Sequence, residues 1–300
     1  MKSAKTKLYI LMFGMIALTI SGIALRTIAL RVSFDAEIGY FQDGPLATLC
    51  YIITALAVLM PLVMSIIIPK GTLTSTWPDL QNNAVAILPM IALLVCGILP
   101  KVLPTLATTQ SVLADIIVVT SLLASGYFLL TLIPRIRQYA PSVLNVVGFG
   151  VIFWGLSALS ETYFDLFTTM NSPIKVMLQF SFLSVALMIT AELRFRLSKA
   201  LPRLAVAIHG VAMHLCLTAG FSTLVATLLY KDSIPTKHTL YATTLLALGV
   251  YAAFRLFTYL IAQLHPVPVQ TTPDETAVVS TSDESTTSED MPQNIPEEDI

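Results

Sequence analysis

Charged residues are scarce in this chain. Only 12% of its 300 residues are Asp, Glu, Lys or Arg, whereas a typical soluble domain carries about 25%. Hydrophobic residues make up 55% of the sequence, and the mean hydropathy is +0.79. Because so few charges cannot cover a water-facing surface, the composition excludes an ordinary soluble globular enzyme.

Cysteine is also scarce, and familiar catalytic motifs are missing. The three cysteines all fall inside apolar stretches, so they form neither a disulfide framework nor a Cys/His cluster with the spacing of a zinc site. The sequence contains no HExxH, GxSxG or P-loop motif, which would mark a metalloprotease, an α/β-hydrolase or a phosphate-binding loop. We therefore predict no metal and no cofactor, and enzymatic activity is the least favoured function.

Long hydrophobic runs are what the chain has in abundance. A membrane-spanning helix needs about 20 mostly apolar residues, and eight stretches meet or approach that length. These spans 1 to 8 cover about residues 8–30, 45–68, 84–99, 113–134, 142–160, 173–193, 204–230 and 239–264. They predict an all-α fold, a polytopic α-helical membrane bundle of about eight transmembrane helices within residues 1–265. Span 3 is the shortest, and it contains Pro89.

The basic residues predict how this bundle is oriented. With the N-terminus inside and eight spans, 11 of the 17 Lys and Arg residues lie on the inner side and 6 on the outer side. Cytoplasmic loops carry the excess of Lys and Arg in membrane proteins. We therefore expect both termini in the cytoplasm. Span 1 follows three lysines, as a signal peptide would, but its uncharged run is longer than a signal peptide's, so we expect it to be retained.

The last 35 residues differ in composition from the rest. Residues 266–300 are rich in Ser, Thr and Pro, and they hold nine of the 18 acidic residues. Such a segment cannot bury enough apolar surface to offset its chain entropy, so we predict a disordered acidic tail. Two interpretations remain open. The tail is either a docking site for a protein partner, with Ser282, Ser285 and Ser288 as phosphorylation candidates, or a solubilising segment.

Short words recur in the two halves of the chain. A Phe-Asp pair occurs at residues 34–35 and 164–165, a helix-opening proline at 45 and 173, and the word AVAI at 84–87 and 205–208. Their order is kept, with offsets of 130, 128 and 121 residues. This pattern favours two parallel four-helix halves, residues 1–137 and 138–265, related by an axis along the membrane normal. The alternative is chance recurrence of short apolar words.

Several charged residues fall on the predicted outer side, where we expect them to form a polar cluster. Intramembrane charges are costly and tend to be paired, so Glu161 and Asp165 are expected to approach Arg26 or Arg31. The functional interpretation is a pocket for a cation or a small solute, and the alternative is a set of solvated, capped loops. The candidate residues of this cluster are Arg26, Arg31, Asp35, Glu37, Asp115, Glu161 and Asp165.

A second candidate site lies within the membrane. If the two AVAI words are equivalent, Pro89 in span 3 corresponds to Gly210 in span 7. Interrupted helices at matching positions of two halves point to a transporter's binding site. His209 would then lie beside the interruption, facing the interface between the halves and not lipid. His214 is five residues further on, about 140° around the helix, so the two histidines do not share a face. The alternative is that both histidines are neutral and packed.

The remaining intramembrane acid is Glu192, near the end of span 6. It is followed closely by Arg194 and Arg196. We interpret it as part of an ion pair at the membrane interface, because charged side chains near helix ends reach toward the headgroups.

Two stretches resemble a known group of proteins. The sequences LRTIALRVSFDAEIGYF at residues 25–41 and ETYFDLFTTMNSPIKVMLQ at residues 161–179 resemble uncharacterised bacterial multi-pass membrane proteins with about eight spans. The resemblance implies the bacterial cytoplasmic membrane as the location. It carries no activity, so it assigns no functional residue.

The sequence therefore leaves two main functions open. The number of spans, the short connections and the repeated words favour transport of a small molecule or ion. The acidic tail favours a non-catalytic membrane partner or sensor. The expected partners are the lipid bilayer, a small-molecule or ion substrate and a protein bound at the tail, and no nucleic acid.

Overall fold

The structure, a computed structural model, describes residues 2–35, 37–69, 71–77, 84–102, 112–139, 141–166, 169, 172–229 and 236–265. The predicted acidic tail, residues 266–300, lies outside the described residues. Eight of the described helices are long and apolar enough to cross a membrane. The prediction of an all-α polytopic bundle is confirmed.

The long helices follow the predicted spans closely. They are α1 (Lys2–Val32), α2 (Pro45–Ile67), α3 (Ile87–Val102), α4 (Val112–Leu132), α6 (Pro141–Phe164), α7 (Pro173–Arg196), α8 (Pro202–Leu229) and α9 (Thr236–Leu264). A short helix, α5 (Pro134–Tyr139), joins α4 to α6. Proline is the first residue of α2, α5, α6, α7 and α8. The N–H group at this position has no intrahelical partner in any helix, so proline loses no hydrogen bond there, and its fixed φ suits a helix start.

A small hairpin joins α1 to α2. Strands β1 (Phe34–Asp35) and β2 (Tyr40–Phe41) pair antiparallel, with Phe34 opposite Phe41. The Oδ1 atom of Asp35 accepts hydrogen bonds from the backbone N–H groups of Glu37 and Ile38, at 3.0 and 3.2 Å. Gly39 has a φ of 80°, which glycine adopts without strain. Asp35 therefore stabilises a turn.

Helices α7 and α8 form the centre of the bundle and are the most deeply buried. Helix α8 packs against α1, α2, α7 and α9, while α3, α4 and α6 connect α9 to α7 around the other side. The peripheral helices expose large apolar side chains such as Phe13, Ile20 and Ile66. This pattern fits a lipid environment, because hydrocarbon is the solvent of the outer surface.

Successive helices run in opposite directions, so the bundle has two ends. We call the end where α1 begins the first end and the opposite end the second end. At the first end, Lys7 donates to the carbonyl of Ile67 at 3.2 Å, which places the start of α1 beside the end of α2. At the second end, Arg26 donates to the carbonyl of Pro173 at 2.6 Å, which places the end of α1 beside the start of α7.

Span 3 and span 7 are not interrupted at matching positions. The 3-10 turn Ala84–Ala86 precedes α3, and Pro89 occupies the first turn of α3, where a helix has free N–H groups in any case. Helix α8 runs without a break through Gly210. A Cβ atom at Gly210 would lie 2.8 Å from Cβ of Pro61, so this glycine allows α2 to approach α8 closely. Helix α8 therefore has no break at Gly210 to match Pro89, and the expected bends at these two residues stay a prediction.

The two halves of the chain also pack differently. In the second half, α7 packs along α8. The corresponding helices of the first half have other neighbours, because α2 packs on α1 and α8 whereas α3 packs on α4 and α9. The internal repeat, with halves 1–137 and 138–265, stays a prediction.

Candidate functional site

Glu192 is the centre of a buried polar cluster near the first end. Its side chain is 1% exposed. Its Oε1 atom lies 3.2 Å from Nε of Arg255 and 3.4 Å from Nε2 of His209. Its Oε2 atom accepts hydrogen bonds from the hydroxyls of Tyr251 at 3.0 Å and Tyr127 at 3.3 Å. These five residues, which we call the Glu192 cluster, join α4, α7, α8 and α9.

The geometry of His209 bears on its protonation. Its Nδ1 atom lies 2.8 Å from the carbonyl oxygen of Ala205, while Nε2 faces the Glu192 carboxylate. A neutral imidazole has one N–H, so it donates to only one of these two acceptors, whereas an imidazolium donates to both. An N–H on Nε2 therefore bonds α8 to α7 at this point, in the neutral tautomer that carries it or in the imidazolium.

A segment of the loop between α2 and α3 covers the Glu192 cluster. The indole of Trp77 lies over the guanidinium of Arg255, 5.0 Å from ring centre to Cζ, and its ring centre is 4.7 Å from that of His209. Tyr259 stacks on the same indole at 4.6 Å. The segment is fixed by Thr74, which accepts a hydrogen bond from the Tyr259 hydroxyl at 2.7 Å and exchanges two hydrogen bonds with Gln263. Residues 71–77 thus form a cover at the first end.

The expected role of Glu192 at the membrane interface is wrong. Its ion-pair partner is Arg255, 63 residues further along the chain. Arg194 instead donates to the carbonyl of Lys199, and the guanidinium of Arg196 lies over the ring of Tyr127. The physical reason is that Glu192 faces inward, toward α8 and α9. A signal was present in the sequence, since Tyr251, Arg255 and Tyr259 recur every four residues and form one polar stripe on an otherwise apolar helix.

A second polar cluster lies at the second end, around Asp165. This residue follows α6 directly and is 5% exposed. Its carboxylate lies 3.2 Å from Nζ of Lys237 and 3.4 Å from Nε2 of His238, both in the first turn of α9. Its backbone carbonyl accepts a hydrogen bond from Nζ of Lys175 of α7, at 2.7 Å. Asp165 therefore bonds the end of α6 to the starts of α7 and α9.

Glu161 belongs to the same cluster. It lies in the last turn of α6, four residues before Asp165. Its carboxylate accepts a hydrogen bond from the hydroxyl of Tyr241 of α9. Glu161, Asp165, Lys175, Lys237, His238 and Tyr241 are together called the Asp165 cluster.

Arg26 is buried beside this cluster with different partners. It is 4% exposed, and it donates to the hydroxyl of Ser222 at 3.1 Å and to the carbonyl of Pro173. Its guanidinium lies 5.9 Å from the ring centre of Phe41. In the described part of the chain, no carboxylate lies within ion-pair distance of Arg26.

The seven residues predicted for the outer side are not gathered in one place. Glu161 and Asp165 share a cluster, but the basic partners that the structure gives Asp165 come from α9, where we expected the arginines of α1. Arg31 and Glu37 are exposed, and Asp35 closes the hairpin turn. Asp115 forms an exposed ion pair with Lys101 at 2.5 Å. Hydropathy does not say which helix ends are neighbours, so it could not predict that α9 begins beside α6.

His209 and His214 face different neighbours, as their spacing predicted. Both are fully buried, so neither faces lipid, and the placement of His209 at an interface between two halves stays a prediction. His209 contacts the Glu192 cluster, whereas His214 lies against Gly22 of α1, where a Cβ atom would be 2.8 Å from its Cε1. The described ranges contain no group of three His, Cys, Asp or Glu side chains that could hold a metal ion.

Comparison of the chain with family models, curated proteins and solved structures finds no match. The function therefore has to be inferred from the geometry. The Glu192 and Asp165 clusters bond α7, α8 and α9 to one another and to α4 and α6, one near each end of the bundle.

Proposed function

We propose that the protein transports a small solute or ion across the membrane and that the two clusters are its gates. The observation that supports this is the placement of the clusters. Near the first end Arg255 of α9 is paired with Glu192 of α7, and near the second end Asp165 bonds both Lys175 of α7 and Lys237 of α9. Ionisable residues inside a membrane are expensive and commonly mark a transport pathway. A bundle closed at both ends by separate bonds corresponds to an occluded state, from which either end opens without the other.

Helix α8 runs from one gate to the other and carries polar side chains along its length, as the lining of a transport pathway does. Helix α8 bears His209 at the first gate, His214 and Thr218 in the middle and Ser222 beside Arg26 at the second end. All four side chains are buried. Polar side chains inside a membrane protein face other helices or a water-filled path, because hydrocarbon does not solvate them.

We further propose the bacterial cytoplasmic membrane as the location, with both termini in the cytoplasm. The excess of Lys and Arg at the first end and the resemblance of residues 25–41 and 161–179 support this placement. Reporter fusions after Arg137, Lys199 and Gln270 are expected to report the cytoplasm in a bacterial host. A periplasmic signal after Lys199 contradicts the orientation.

Thiol accessibility tests the gates without knowledge of the substrate. In a chain with Cys50, Cys96 and Cys216 replaced by alanine, Thr218→Cys places one thiol between the gates. We expect slow labelling by a membrane-impermeant maleimide from both sides. Adding Glu192→Gln should raise the rate from the first-end side roughly tenfold, because loss of one charge-assisted hydrogen bond of about 1.4 kcal/mol shifts the opening equilibrium by that factor. Asp165→Asn should do the same from the second-end side.

Two control variants make this test specific. Asp115→Asn removes a charge of an exposed ion pair and should leave both labelling rates unchanged. Deletion of residues 266–300 should also leave them unchanged, because the bundle is proposed to work alone. A thiol at position 218 that stays unreactive from both sides in every variant contradicts transport. Rates that fall only when the tail is deleted would favour the alternative, a sensor that acts through a protein partner.

A further inference from the structure

Three buried polar side chains at the contact of α1 and α8 have no hydrogen-bond partner among the described residues. They are Thr19, His214 and Thr218, with exposures of 4%, 0% and 0%. Both ring nitrogens of His214 are unpartnered, as are the two threonine hydroxyls. Buried polar groups are nearly always hydrogen-bonded, and unpartnered ones point to a bound water or ion.

These side chains are close together because of Gly22. A Cβ atom at this position would lie 2.8 Å from Cε1 of His214 and 3.6 Å from Oγ1 of Thr218, so only glycine leaves room for the imidazole. Thr19 is three residues before Gly22 and therefore lies on the same face of α1. His214 and Thr218 of α8 thus meet α1 at Gly22, and Thr19 lies one turn away on the same face of α1.

The charge closest in sequence to Gly22 is the guanidinium of Arg26, whereas the carboxylates of the adjacent Asp165 cluster are bonded to Lys237 and Tyr241. Arg26 is four residues after Gly22, about 6 Å along the helix axis, and it is buried with neutral acceptors as its partners. The sequences of α1, α2, α8 and α9 contain no Asp or Glu at all. The single acid of α7, Glu192, is already paired with Arg255. A buried cation without a carboxylate is costly unless another negative charge accompanies it.

We propose that Arg26, His214 and Thr218 form a binding site for a small monovalent anion of the size of chloride. Arg26 supplies the charge, and the imidazole N–H and the threonine hydroxyls supply hydrogen-bond donors. A cation does not suit the site, because the two helices that form this contact, α1 and α8, carry no Asp or Glu. If the protein is a transporter, as proposed above, this site identifies small anions as its substrate class. That role rests on the proposed function. Anion binding itself is measurable without transport.

The test is thermal unfolding of the purified full-length protein in detergent, with chloride compared with gluconate at equal ionic strength. Gluconate is a much larger anion than chloride and therefore serves as the comparison salt. Chloride should raise the unfolding midpoint of the wild type by about 2–4 °C, because a ligand that binds only the folded state stabilises it. Thr218→Val and Arg26→Gln should each abolish that difference between the salts.

A matched variant controls for the loss of a hydroxyl. Thr162 is as buried as Thr218, but its hydroxyl donates to the carbonyl of Ala158 in its own helix. Thr162→Val should therefore keep the chloride shift. Equal midpoints of the wild type in both salts, or a shift that survives in Thr218→Val, would overturn the anion site while leaving the gates untouched. A chloride shift together with an inaccessible thiol at position 218 would overturn transport and leave the anion site standing.

Discussion

Replacing Glu192 by alanine is expected to destabilise the protein by about 3–5 kcal/mol, because it leaves Arg255 buried without its carboxylate. The hydroxyls of Tyr127 and Tyr251 would lose their acceptor at the same time. The measurement is thermal unfolding in detergent, followed by tryptophan fluorescence. The chain has two tryptophans, and Trp77 stacks directly on the cluster.

The exposed pair Lys101–Asp115 is the matched control. Its side chains are 58% and 67% exposed, so water replaces most of the lost interaction. Asp115→Ala should therefore cost no more than about 1 kcal/mol. If Glu192→Ala and Asp115→Ala shift the midpoint equally, the Glu192 carboxylate is solvated and the proposed gate has no energetic basis.

A double variant separates the stability of the cluster from its role as a gate. Glu192→Leu with Arg255→Leu replaces the ion pair by apolar side chains, and such replacements are often neutral or stabilising. We expect this variant to recover most of the stability that either single substitution loses. When Thr218→Cys is added, the rate at which this thiol is labelled should still differ from the rate in the chain that keeps Glu192 and Arg255. The reason is that an apolar contact does not form and break as the ion pair does. A double variant as unstable as the sum of the two singles would contradict direct coupling of Glu192 and Arg255.

Hydropathy predicts the spans because the bilayer imposes their length locally. Twenty apolar residues in a row are sufficient evidence of a spanning helix, whatever their neighbours are. Prolines 45 and 173 mark helix starts for an equally local reason, since proline fixes φ and has no N–H to donate. These predictions need no knowledge of the tertiary structure, and the structure confirms them.

The polar clusters depend on which helices are neighbours, and hydropathy carries no such information. Glu192 and Arg255 are 63 residues apart, and both lie near helix ends where charged side chains often reach the headgroups. Lys237 and His238 look like residues of an ordinary loop until the start of α9 is placed beside Asp165. The prediction that His209 and His214 have different neighbours agrees with the structure, because it used only helical spacing. The interpretation of Gly210 depended on an assumed repeat, and it could not anticipate that this glycine lies against Pro61 of α2.

Gly220 gives the largest expected effect of a packing substitution. A Cβ atom at this position would lie 2.8 Å from the carbonyl oxygen of Ala242 and 2.8 Å from the backbone nitrogen of Leu246. Both are backbone atoms of α9, so no side-chain rotation relieves the clash. From the other side, a Cβ atom at Gly249 of α9 would lie 2.9 Å from the backbone nitrogen of Leu217. The two helices therefore touch backbone to backbone, as small residues allow in membranes.

Gly220→Val is expected to destabilise the protein by about 3 kcal/mol, the upper part of the usual range for overpacking, because α9 has to move away as a whole. Gly126→Ala is the control, since its Cβ atom would meet nothing closer than Cγ1 of Val147 at 4.0 Å. Alanine is about 1 kcal/mol better than glycine inside a helix, so this variant should be neutral or more stable. Separation of α8 from α9 should also part His209 from Arg255, so Gly220→Val should alter Trp77 fluorescence before unfolding, whereas Gly126→Ala should not. Equal unfolding midpoints for the two variants would contradict the close α8–α9 contact on which the geometry of the Glu192 cluster depends.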